Sequence, residues 1–289
     1  MKNEAIRNYI YLNGKFMSTK EINPLEYMWG DTVYEVVRIR DGVAVYIEDH
    51  VERMRNSAKL LGHTFSLDIE LVEDVINQLI ERNSENNMNI KLVATNFVAG
   101  GCDFAAYFIN SFYPPIEMYQ NGVHTMLYKT MRENPHAKTM VREQRQAINR
   151  EREKVGAYEA LLVDEHGNIT EGSRSNLFFI KDGKLYTPPS ENVLLGITRK
   201  NLLEICREHS IEVIEKEIAA AEIKDFDGAF ITGTSISVLP IATIDDIKLG
   251  SASDMTIIKL INFMKSKATD YIERKKLEVE KDNRLLQEM

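Results

Sequence analysis

The N-terminal part of the chain alternates between short apolar runs typical of strands and two stretches in which apolar residues recur at helical spacing. The turn dipeptides Asn13-Gly14 and Asp41-Gly42 each separate two strand-like runs, so each predicts a β-hairpin. A helix is predicted from Asp49, as its N-cap, to Leu61, with Gly62 closing it. A second, amphipathic helix is predicted from Ile69 to Ile80. Two further strands are predicted from Ile90 to Phe97 and from Phe104 to Phe112.

The middle of the chain is interrupted by Pro114-Pro115 and by Asn121-Gly122, which break both periodicities. We therefore predict a smaller N-terminal α/β domain over residues 1–115, an interdomain linker region over residues 116–130 and a larger C-terminal domain over residues 131–289. The last helix is charge-rich, is expected to be solvated and is given no chemical role. The elements predicted after the prolines are strand Val123–Thr130, helix Val141–Val155, a strand meander over Tyr158–Tyr186, helix Arg199–His209, strand Gly228–Thr232 and a helical tail from Asp254.

The composition is that of a globular protein, since 44% of the 289 residues are hydrophobic and 28% are charged. A net charge of −8, without a basic stripe, disfavours a nucleic-acid partner. The two cysteines, Cys102 and Cys206, form neither a disulfide framework nor a metal-binding pattern, so no metal site is expected. The sequence shows no signal peptide and no apolar run of the roughly 18 residues that a membrane span needs. We therefore expect a cytoplasmic protein without a membrane partner.

A run of small and hydroxyl-bearing residues, Thr170–Asn176, surrounds a single carboxylate, that of Glu171. Two apolar, strand-like stretches flank this run, Ala160–Val163 before it and Leu177–Ile180 after it. A carboxylate held at the end of a buried strand does not serve packing, so Glu171 is a candidate for a chemical role. The alternative is a surface β-turn with a solvated glutamate, and this run by itself does not decide between the two.

Two more segments have the backbone and hydroxyl donors that anions bind. Thr198 precedes the predicted helix Arg199–His209 in N-cap position, where backbone N–H groups and the helix dipole favour an anion. Thr232–Ser237 is a turn of glycine and hydroxyl residues at the end of a strand, a composition suited to a phosphate. Each segment has an ordinary alternative, helix capping for the first and a plain loop for the second. Together with Glu171, they indicate a ligand-binding domain.

These motifs occur in the order seen in the fold-type IV, or class IV, pyridoxal-phosphate enzymes, which include branched-chain aminotransferases, D-amino-acid aminotransferases and aminodeoxychorismate lyases. The chain resembles this family over nearly its whole length up to the last helix. The resemblance implies a two-domain fold of mixed α+β and α/β character, with pyridoxal 5′-phosphate at the domain interface and the larger C-terminal domain binding it. The matching segments are Asn13-Gly14, Gly30–Glu35, His50–Arg53, Lys138, Tyr158–Leu162, the Glu171 run, Leu195–Arg199 and Thr234-Ser235.

The resemblance implies a role for each matching residue. Lys138 resembles the lysine that forms the internal aldimine with the cofactor and then shuttles the substrate proton. Glu171 resembles the carboxylate that keeps the pyridine nitrogen protonated, and Leu194 resembles the apolar residue that packs against the ring. Arg53 resembles the arginine that binds the phosphate. Further phosphate donors are implied at Ile197, Thr198, Thr234 and Ser235.

The substrate-side residues match the family less closely. The run from Tyr34 to Arg38 resembles the D-amino-acid enzymes, with an arginine in place of a lysine, and its two end residues are the substrate-side candidates. The helix after Lys138 is more polar than in many relatives, and Arg142 within it is closer to the lyases. Thr95-Asn96-Phe97 stands where relatives specific for α-carboxylates often have an arginine. The amino donor and the choice between L and D stereochemistry therefore stay open.

Three functions are compatible with the resemblance. The first is an aminotransferase that moves an amino group between a branched-chain or D-type amino acid and a 2-keto acid through Lys138. The second keeps the cofactor but catalyses β-elimination, as in aminodeoxychorismate lyase. The third is a relative that binds the cofactor without turnover. The family also implies a homodimer, in which residues near Trp29–Asp31 or in the Phe97–Asp103 loop reach the partner's site.

Overall fold

A computed structural model describes residues 3–64, 66–98, 101–131, 134–139 and 142–288, with the backbone alone at residues 142 and 282–288. The chain divides into two compact units. Unit 1 comprises Met1–Phe112, Ala137–Met140 and Ser266–Met289, and unit 2 comprises Tyr113–His136 and Val141–Lys265. Lys138 therefore belongs to unit 1, although the chain on both sides of its short segment belongs to unit 2.

Unit 1 is an antiparallel sheet with two helices against one of its faces. Its strands are β1 (Tyr9–Leu12), β2 (Lys15–Ser18), β3 (Val33–Arg40), β4 (Val43–Ala44), β5 (Asn89–Val98) and β6 (Gly101–Phe108), and its helices are α1 (Ile47–Leu60) and α2 (Ile69–Asn83). The strand order is β2-β1-β6-β5-β3-β4. Because side chains alternate along a strand, β3 places Val33, Glu35 and Val37 on one face and Tyr34 and Val36 on the other. The first face packs against α1 and α2 in a large apolar core, and the second packs a smaller core around Tyr34.

Unit 2 is a nine-stranded mixed sheet in which several strands are buried on both faces. Its strands are β7 (Val123–Lys129), β8 (Glu159–Val163), β9 (Ile169–Gly172), β10 (Asn176–Lys181), β11 (Lys184–Thr187), β12 (Val213–Glu215), β13 (Gly228–Gly233), β14 (Ser237–Ile244) and β15 (Ile247–Lys248). Its helices are α3 (Ile116–Asn121), α4 (Arg142–Lys154), α5 (Ile197–Glu208) and the first part of α6 (Met255–Glu288). The strand order is β12-β11-β10-β13-β14-β7-β8-β9, with β15 paired to β14. Leu177 and Phe179 of β10 enter one core while Phe178 and Ile180 enter the other, which explains the uninterrupted apolar run of this strand.

The predicted elements of the N-terminal part are present, but some of their bounds differ. The strand predicted from Phe104 to Phe112 is β6, which starts at Gly101 and ends at Phe108, and the start of α1 differs as well. Asn13 and Gly14 have φ angles of 47° and 86°, as the predicted β1–β2 hairpin turn requires. The strand after the second turn is only two residues long, and α1 begins at Ile47. Its N-cap residue is Tyr46, so the prediction of Asp49 as N-cap is wrong. Tertiary contacts of Glu48 in the first turn replace local capping there.

The structure differs from the predicted linker over residues 116–130. The chain forms α3 and β7 there, and β7 lies inside the unit 2 sheet between β14 and β8. Gly122, with a φ of 73°, makes a tight connection between these two elements rather than a flexible boundary. The predicted C-terminal domain over residues 131–289 differs as well, since residues 137–140 and 266–289 belong to unit 1.

The predicted helical tail is α6, a helix of 34 residues. From Ser266 onward α6 belongs to unit 1, where Tyr271 and Ile272 are buried together with Val45. This packing corrects the expectation that the tail is simply solvated. Neither α6 nor any other helix in the described ranges has the length and apolarity needed to cross a bilayer.

Candidate active site

Lys138 lies in a short segment of unit 1. Its backbone N–H and C=O groups both form hydrogen bonds with other residues of that unit. Its N–H donates to Ser57 Oγ (3.1 Å), and its carbonyl oxygen accepts from the Tyr34 N–H (3.1 Å). The Lys138 ammonium lies 5.2 Å from the centre of the Tyr34 ring, within the range of a cation–π contact. Helix α1 and strand β3 therefore fix the point from which the lysine side chain extends.

Glu35, His50 and Arg53 form a buried charged cluster on the α1 face of the unit 1 sheet. Arg53 Nε donates to Glu35 Oε1 (2.7 Å), and Arg53 Nη2 donates to Glu35 Oε2 (2.6 Å). His50 Nδ1 lies 2.7 Å from Glu35 Oε2. His50 and Arg53 lie on one face of α1 because of their i, i+3 spacing. The two hydrogen bonds to Glu35 fix the plane of the Arg53 guanidinium. The remaining N–H donors of the guanidinium are suited to bind a phosphate.

The charges of this cluster follow from its burial and its contacts. Burial raises the pKa of Glu35, but the Arg53 charge and the hydrogen bonds from Arg53 and His50 outweigh burial and lower that pKa from 4.5 to about 2. Burial also lowers the pKa of His50. The imidazole is therefore neutral at pH 7 and donates its Nδ1 proton to Glu35, so the cluster contains one positive and one negative charge.

A second ion pair, between buried Lys91 and partly exposed Glu4, lies on the Tyr34 face of the same sheet. Lys91 on β5 has 3% of its side chain exposed, and its ammonium lies 2.8 Å from each carboxylate oxygen of Glu4. Tyr107 donates its hydroxyl proton to the same carboxylate (2.9 Å). The Lys91 ammonium is 5.0 Å from the centre of the Tyr34 ring. Tyr34 therefore contacts the ammonium groups of both Lys91 and Lys138.

The other substrate-side candidates lie elsewhere. Arg38 is four residues beyond Tyr34 on β3, and its Nη1 donates to the Asn87 carbonyl oxygen (3.2 Å). Burial lowers the pKa of Arg38 to about 10, so the guanidinium stays charged at pH 7. Arg142 is the first residue of α4 in unit 2, and its side chain lies outside the described part of the chain. Of the three candidates, the structure brings Tyr34 next to Lys138.

In unit 2, Glu171 is a buried carboxylate near the end of β9, with 2% of its surface exposed. Its Oε2 accepts from the Leu194 N–H (3.2 Å). Leu194 is 7% exposed, and its carbonyl oxygen accepts from Asn176 Nδ2 (2.7 Å). A carboxylate, an apolar side chain and an amide are thereby brought together from β9, the loop before α5 and β10.

A second buried carboxylate, that of Glu159 at the start of β8, holds the turn that follows Glu171. Its oxygens accept from Ser173 Oγ (2.6 Å) and Ser175 Oγ (3.1 Å). Gly172 leaves room for this arrangement, because a Cβ at that position would collide with Ser175 Oγ. The hydroxyl residues of this run therefore fix the end of β9, where Glu171 lies.

The N-terminus of α5 has the backbone donors that an anion requires. The helix begins at Ile197, its N-cap residue Gly196 makes no side-chain cap bond, and its first turn contains no acidic residue. Thr198 is the second helical residue, so the prediction of Thr198 as N-cap is wrong. A Cβ on Gly196 would collide with Asn176 Oδ1, and this close approach to β10 explains why the helix starts one residue after a glycine.

Thr234 and Ser235 lie in the turn between β13 and β14, and both are half-buried. Thr232 at the end of β13 is buried, and its hydroxyl has no hydrogen-bond partner among the described residues. A buried hydroxyl without a hydrogen-bond partner lowers the stability of a folded protein by about 1–3 kcal/mol. The turn and the adjoining end of β13 therefore have hydroxyl groups suited to an added acceptor, and that of Thr232 is unsatisfied among the described residues.

The structure groups the predicted residues within each unit. Unit 1 contains Lys138, Tyr34 and Arg53, and unit 2 contains Glu171 beside Leu194. Sequence reasoning missed the roles of four further buried groups: Glu35, His50, Lys91 and Glu159. For the first of these a sequence signal existed, because Glu35 occupies an inward position of an alternating strand where an apolar residue is expected.

Solved structures share the architecture of this chain. The branched-chain aminotransferase of Thermoproteus uzoniensis, solved with norvaline, has a TM-score of 0.80 at 23% identity, over 93% of this chain and 97% of that one. A protein of Legionella pneumophila provisionally named 4-amino-4-deoxychorismate lyase has a TM-score of 0.72 at 24% identity, over 82% and 91% of the two chains. These likenesses confirm the predicted fold-type IV architecture.

Sequence comparisons then identify the family. Residues 32–244 match the model of the class IV amino-transferases. A Methanocaldococcus jannaschii protein provisionally named branched-chain-amino-acid aminotransferase is 30% identical over 252 residues, which are 82% of this chain and 88% of that protein. D-Alanine aminotransferase of Bacillus licheniformis is 28% identical, over 86% of this chain and 93% of that enzyme. The chain belongs to the class IV aminotransferases and is a pyridoxal 5′-phosphate-dependent transaminase, as the resemblance predicted.

Proposed function

We propose that this transaminase moves the amino group of a branched-chain or D-type amino acid to a 2-keto acid, with Lys138 as the amine that binds the cofactor. The observation that supports this best is the fixed backbone of Lys138, which is bonded to Ser57 and Tyr34 and lies in the same unit as the Arg53–Glu35 pair. The names of the relatives, which refer to branched-chain amino acids and to D-alanine, support the substrate range.

The residues present fit the chemistry of pyridoxal 5′-phosphate. A phosphate needs guanidinium, hydroxyl and backbone N–H donors, and the pyridine nitrogen needs a carboxylate that stays ionised. Glu171 is a buried carboxylate that already accepts a backbone N–H, and the neighbouring Leu194 offers an apolar contact to a ring. The proposed phosphate donors are Arg53 in unit 1 and Ile197, Thr198, Thr234 and Ser235 in unit 2.

Each residue has a distinct task in this proposal. When bound, the cofactor's protonated pyridine ring accepts the electron pair released at the α-carbon of the substrate. Lys138 Nζ accepts the proton that leaves this carbon and donates it again later in the reaction. Glu171 keeps the ring nitrogen protonated, and Tyr34 restricts the positions open to the lysine amine. Arg53, oriented by Glu35, holds the phosphate.

The test is a parallel titration of the holoenzyme with L-leucine, D-alanine and a primary amine that has no α-carboxylate. The visible absorbance of the bound cofactor is followed, and product formation is measured with 2-oxoglutarate and pyruvate as acceptors. We expect an amino acid to bleach the absorbance and to transfer its amino group. Lys138→Ala should abolish both effects, whereas Lys129→Ala, a matched change at an exposed lysine, should leave both intact.

Three results would contradict parts of the proposal. Borohydride trapping followed by peptide mapping should label Lys138, and a label on another residue would refute its role. If only the primary amine bleached the absorbance of the cofactor, the proposal of an amino-acid substrate would be wrong. Release of pyruvate from aminodeoxychorismate without an amino acceptor would favour the lyase reaction instead.

We further propose that the protein is a homodimer. Tyr27, Trp29 and Val98 are exposed apolar side chains, with 45%, 69% and 71% of their surface exposed. Asn96 holds the loop of the first two in shape, because its side chain accepts from the Trp29 N–H (3.2 Å) and donates to the Tyr27 carbonyl oxygen (3.0 Å). An ordered apolar surface of this kind is typical of a protein–protein interface. Light scattering should give the mass of a dimer that Trp29→Glu weakens, and a monomeric wild-type protein would contradict the proposal.

A cytoplasmic location completes the proposal. Cys102 and Cys206 are both free cysteines, as is usual in a reducing compartment. Burial raises the pKa of each thiol to about 11, so neither cysteine is a reactive thiolate at pH 7. Cell fractionation should recover the protein with cytoplasmic marker enzymes, and recovery with a membrane or secreted fraction would contradict this location.

A further inference from the structure

The C-terminal part of α6 contacts the start of α1 through a group of polar side chains in unit 1. Tyr271 donates its hydroxyl proton to Glu48 Oε2 (2.6 Å), and the Lys275 ammonium lies 2.7 Å from Glu48 Oε1. Lys275 is also 2.7 Å from Glu73 Oε1 on α2, so one ammonium joins α6 to both helices. We call Tyr271, Lys275, Glu48 and Glu73 the α6 clamp. Its two α6 residues lie beyond residue 244, where the match to the family model ends.

The N-cap residue of α1 has an unfavourable backbone conformation. This residue, Tyr46, has φ and ψ angles of 56° and 40°, a left-handed conformation that is costly for a residue with a side chain, and it makes no side-chain cap bond. The Tyr46 ring packs against the Tyr271 ring with centres 4.8 Å apart. Glu48 lies in the first turn, where a negative charge interacts favourably with the helix dipole, and the clamp fixes it there. α6 therefore supplies the support that a capping residue gives elsewhere.

Helix α1 connects the clamp to the residues assigned to the cofactor. Glu48 and Arg53 are less than two helical turns apart, a distance over which a helix is stiff. Arg53 is bonded to Glu35, and Ser57 further along α1 accepts the Lys138 N–H. A displacement at the start of α1 therefore changes where the Arg53 guanidinium lies.

We propose that Tyr271 and Lys275 are positioning residues for cofactor binding, which through Glu48 set the position of α1 and thereby that of the phosphate-binding Arg53. This inference rests on the phosphate role of Arg53 in the proposed function. Glu48 and Glu73 are partly exposed, at 43% and 32% of their side chains, and exposed ion pairs of this kind add little to overall stability. The loss of the clamp is therefore expected to affect the recognition of the phosphate much more than the stability of the fold.

The test compares the binding of pyridoxal 5′-phosphate with that of pyridoxal, which lacks the phosphate, to the full-length protein freed of cofactor. Tyr271→Phe removes the hydroxyl but keeps the ring against Tyr46, and Lys275→Met removes the ammonium but keeps most of the side chain. We expect the double variant to bind pyridoxal 5′-phosphate about tenfold more weakly, equivalent to about 1.4 kcal/mol, while its affinity for pyridoxal stays within about twofold of wild type. Thermal unfolding of the cofactor-free variant should remain close to wild type.

Controls separate positioning from general damage. Lys276→Met makes the same chemical change at the next, exposed residue of α6 and should bind both aldehydes as wild type does. Lys275→Arg keeps the charge and should retain most of the affinity. An equal loss for both aldehydes, or no loss for either, would overturn the inference.

A further variant distinguishes failure of this inference from failure of the proposed function. If Arg53→Met selectively weakens pyridoxal 5′-phosphate binding and the double variant does not, only the positioning role of the clamp is refuted. If Arg53→Met binds both aldehydes like wild type, the assignment of Arg53 to the phosphate is refuted, and the positioning role falls with it.

Discussion

Glu35→Gln tests the buried cluster of unit 1, because it removes the charge of Glu35 and keeps its size. The pKa of Glu35 is lowered from 4.5 to about 2 in the folded protein. Since Glu35 is fully buried, this difference of about 2.5 pKa units corresponds to about 3 kcal/mol of stability at pH 7. Removing one partner of a buried ion pair generally lowers stability by about 3–5 kcal/mol, which is close to the value obtained from the pKa of Glu35.

The sign of the pH dependence follows from the lowered pKa of Glu35. The ionised carboxylate stabilises the fold in full above the unfolded-state pKa of 4.5, and this stabilisation is lost as the pH falls through about 2. At pH 3 the same linkage leaves about half of the 3 kcal/mol. The difference in stability between wild type and Glu35→Gln should therefore shrink by about half between pH 7 and pH 3.

The assay is urea unfolding of cofactor-free wild type and Glu35→Gln at the two pH values. Glu52→Gln is the matched control, since Glu52 is an exposed glutamate on the same helix, and its effect should stay within about 0.5 kcal/mol. A stability difference below about 1 kcal/mol at pH 7, or one that is the same at pH 3, would refute the assigned charge state of Glu35.

Three further substitutions test contacts within unit 2. Glu159→Gln should lower the free energy of unfolding by about 1–3 kcal/mol, because two serine hydroxyls lose a charged acceptor; an unchanged urea midpoint would contradict this. Gly196→Ala should weaken pyridoxal 5′-phosphate binding in an absorbance titration, since its Cβ collides with Asn176 Oδ1; wild-type affinity would show that α5 tolerates the shift. Gly122→Ala should destabilise by more than about 1 kcal/mol, because φ is 73° and the new Cβ would lie 2.8 Å from the Ala242 nitrogen; calorimetry showing no change would refute this.

Elements with a strong local pattern could be predicted from the sequence. The Asn13-Gly14 turn determines its own hairpin, since both residues adopt the positive φ angles that the turn needs. Helix α2 was predictable from its apolar spacing, and its observed end lies only a few residues beyond Ile80. The start of α1 was not predictable, because Asp49 is a good local N-cap and the residues that contact the observed first turn, Tyr271 and Lys275, are more than two hundred residues away.

The candidate site was predictable where it depends on family motifs and not where it depends on long-range pairs. Neither periodicity nor spacing singles out Lys138 among the lysines, and its assignment comes from the resemblance alone. The Lys91–Glu4 pair joins residues 87 positions apart, so no local pattern could indicate it. Glu159 likewise appeared as the polar end of a strand, and its serine partners became evident only in the fold.

The two-sided burial of β10 has a consequence for laboratory evolution of this enzyme. A strand with one wet face tolerates polar replacements at every other position, as the alternating exposure of β11 allows. Leu177, Phe178, Phe179 and Ile180 have no such face, since each is at most 1% exposed. A deep mutational scan should therefore find polar replacements harmful at all four positions. Mutagenic libraries aimed at new substrates should leave these four codons unchanged.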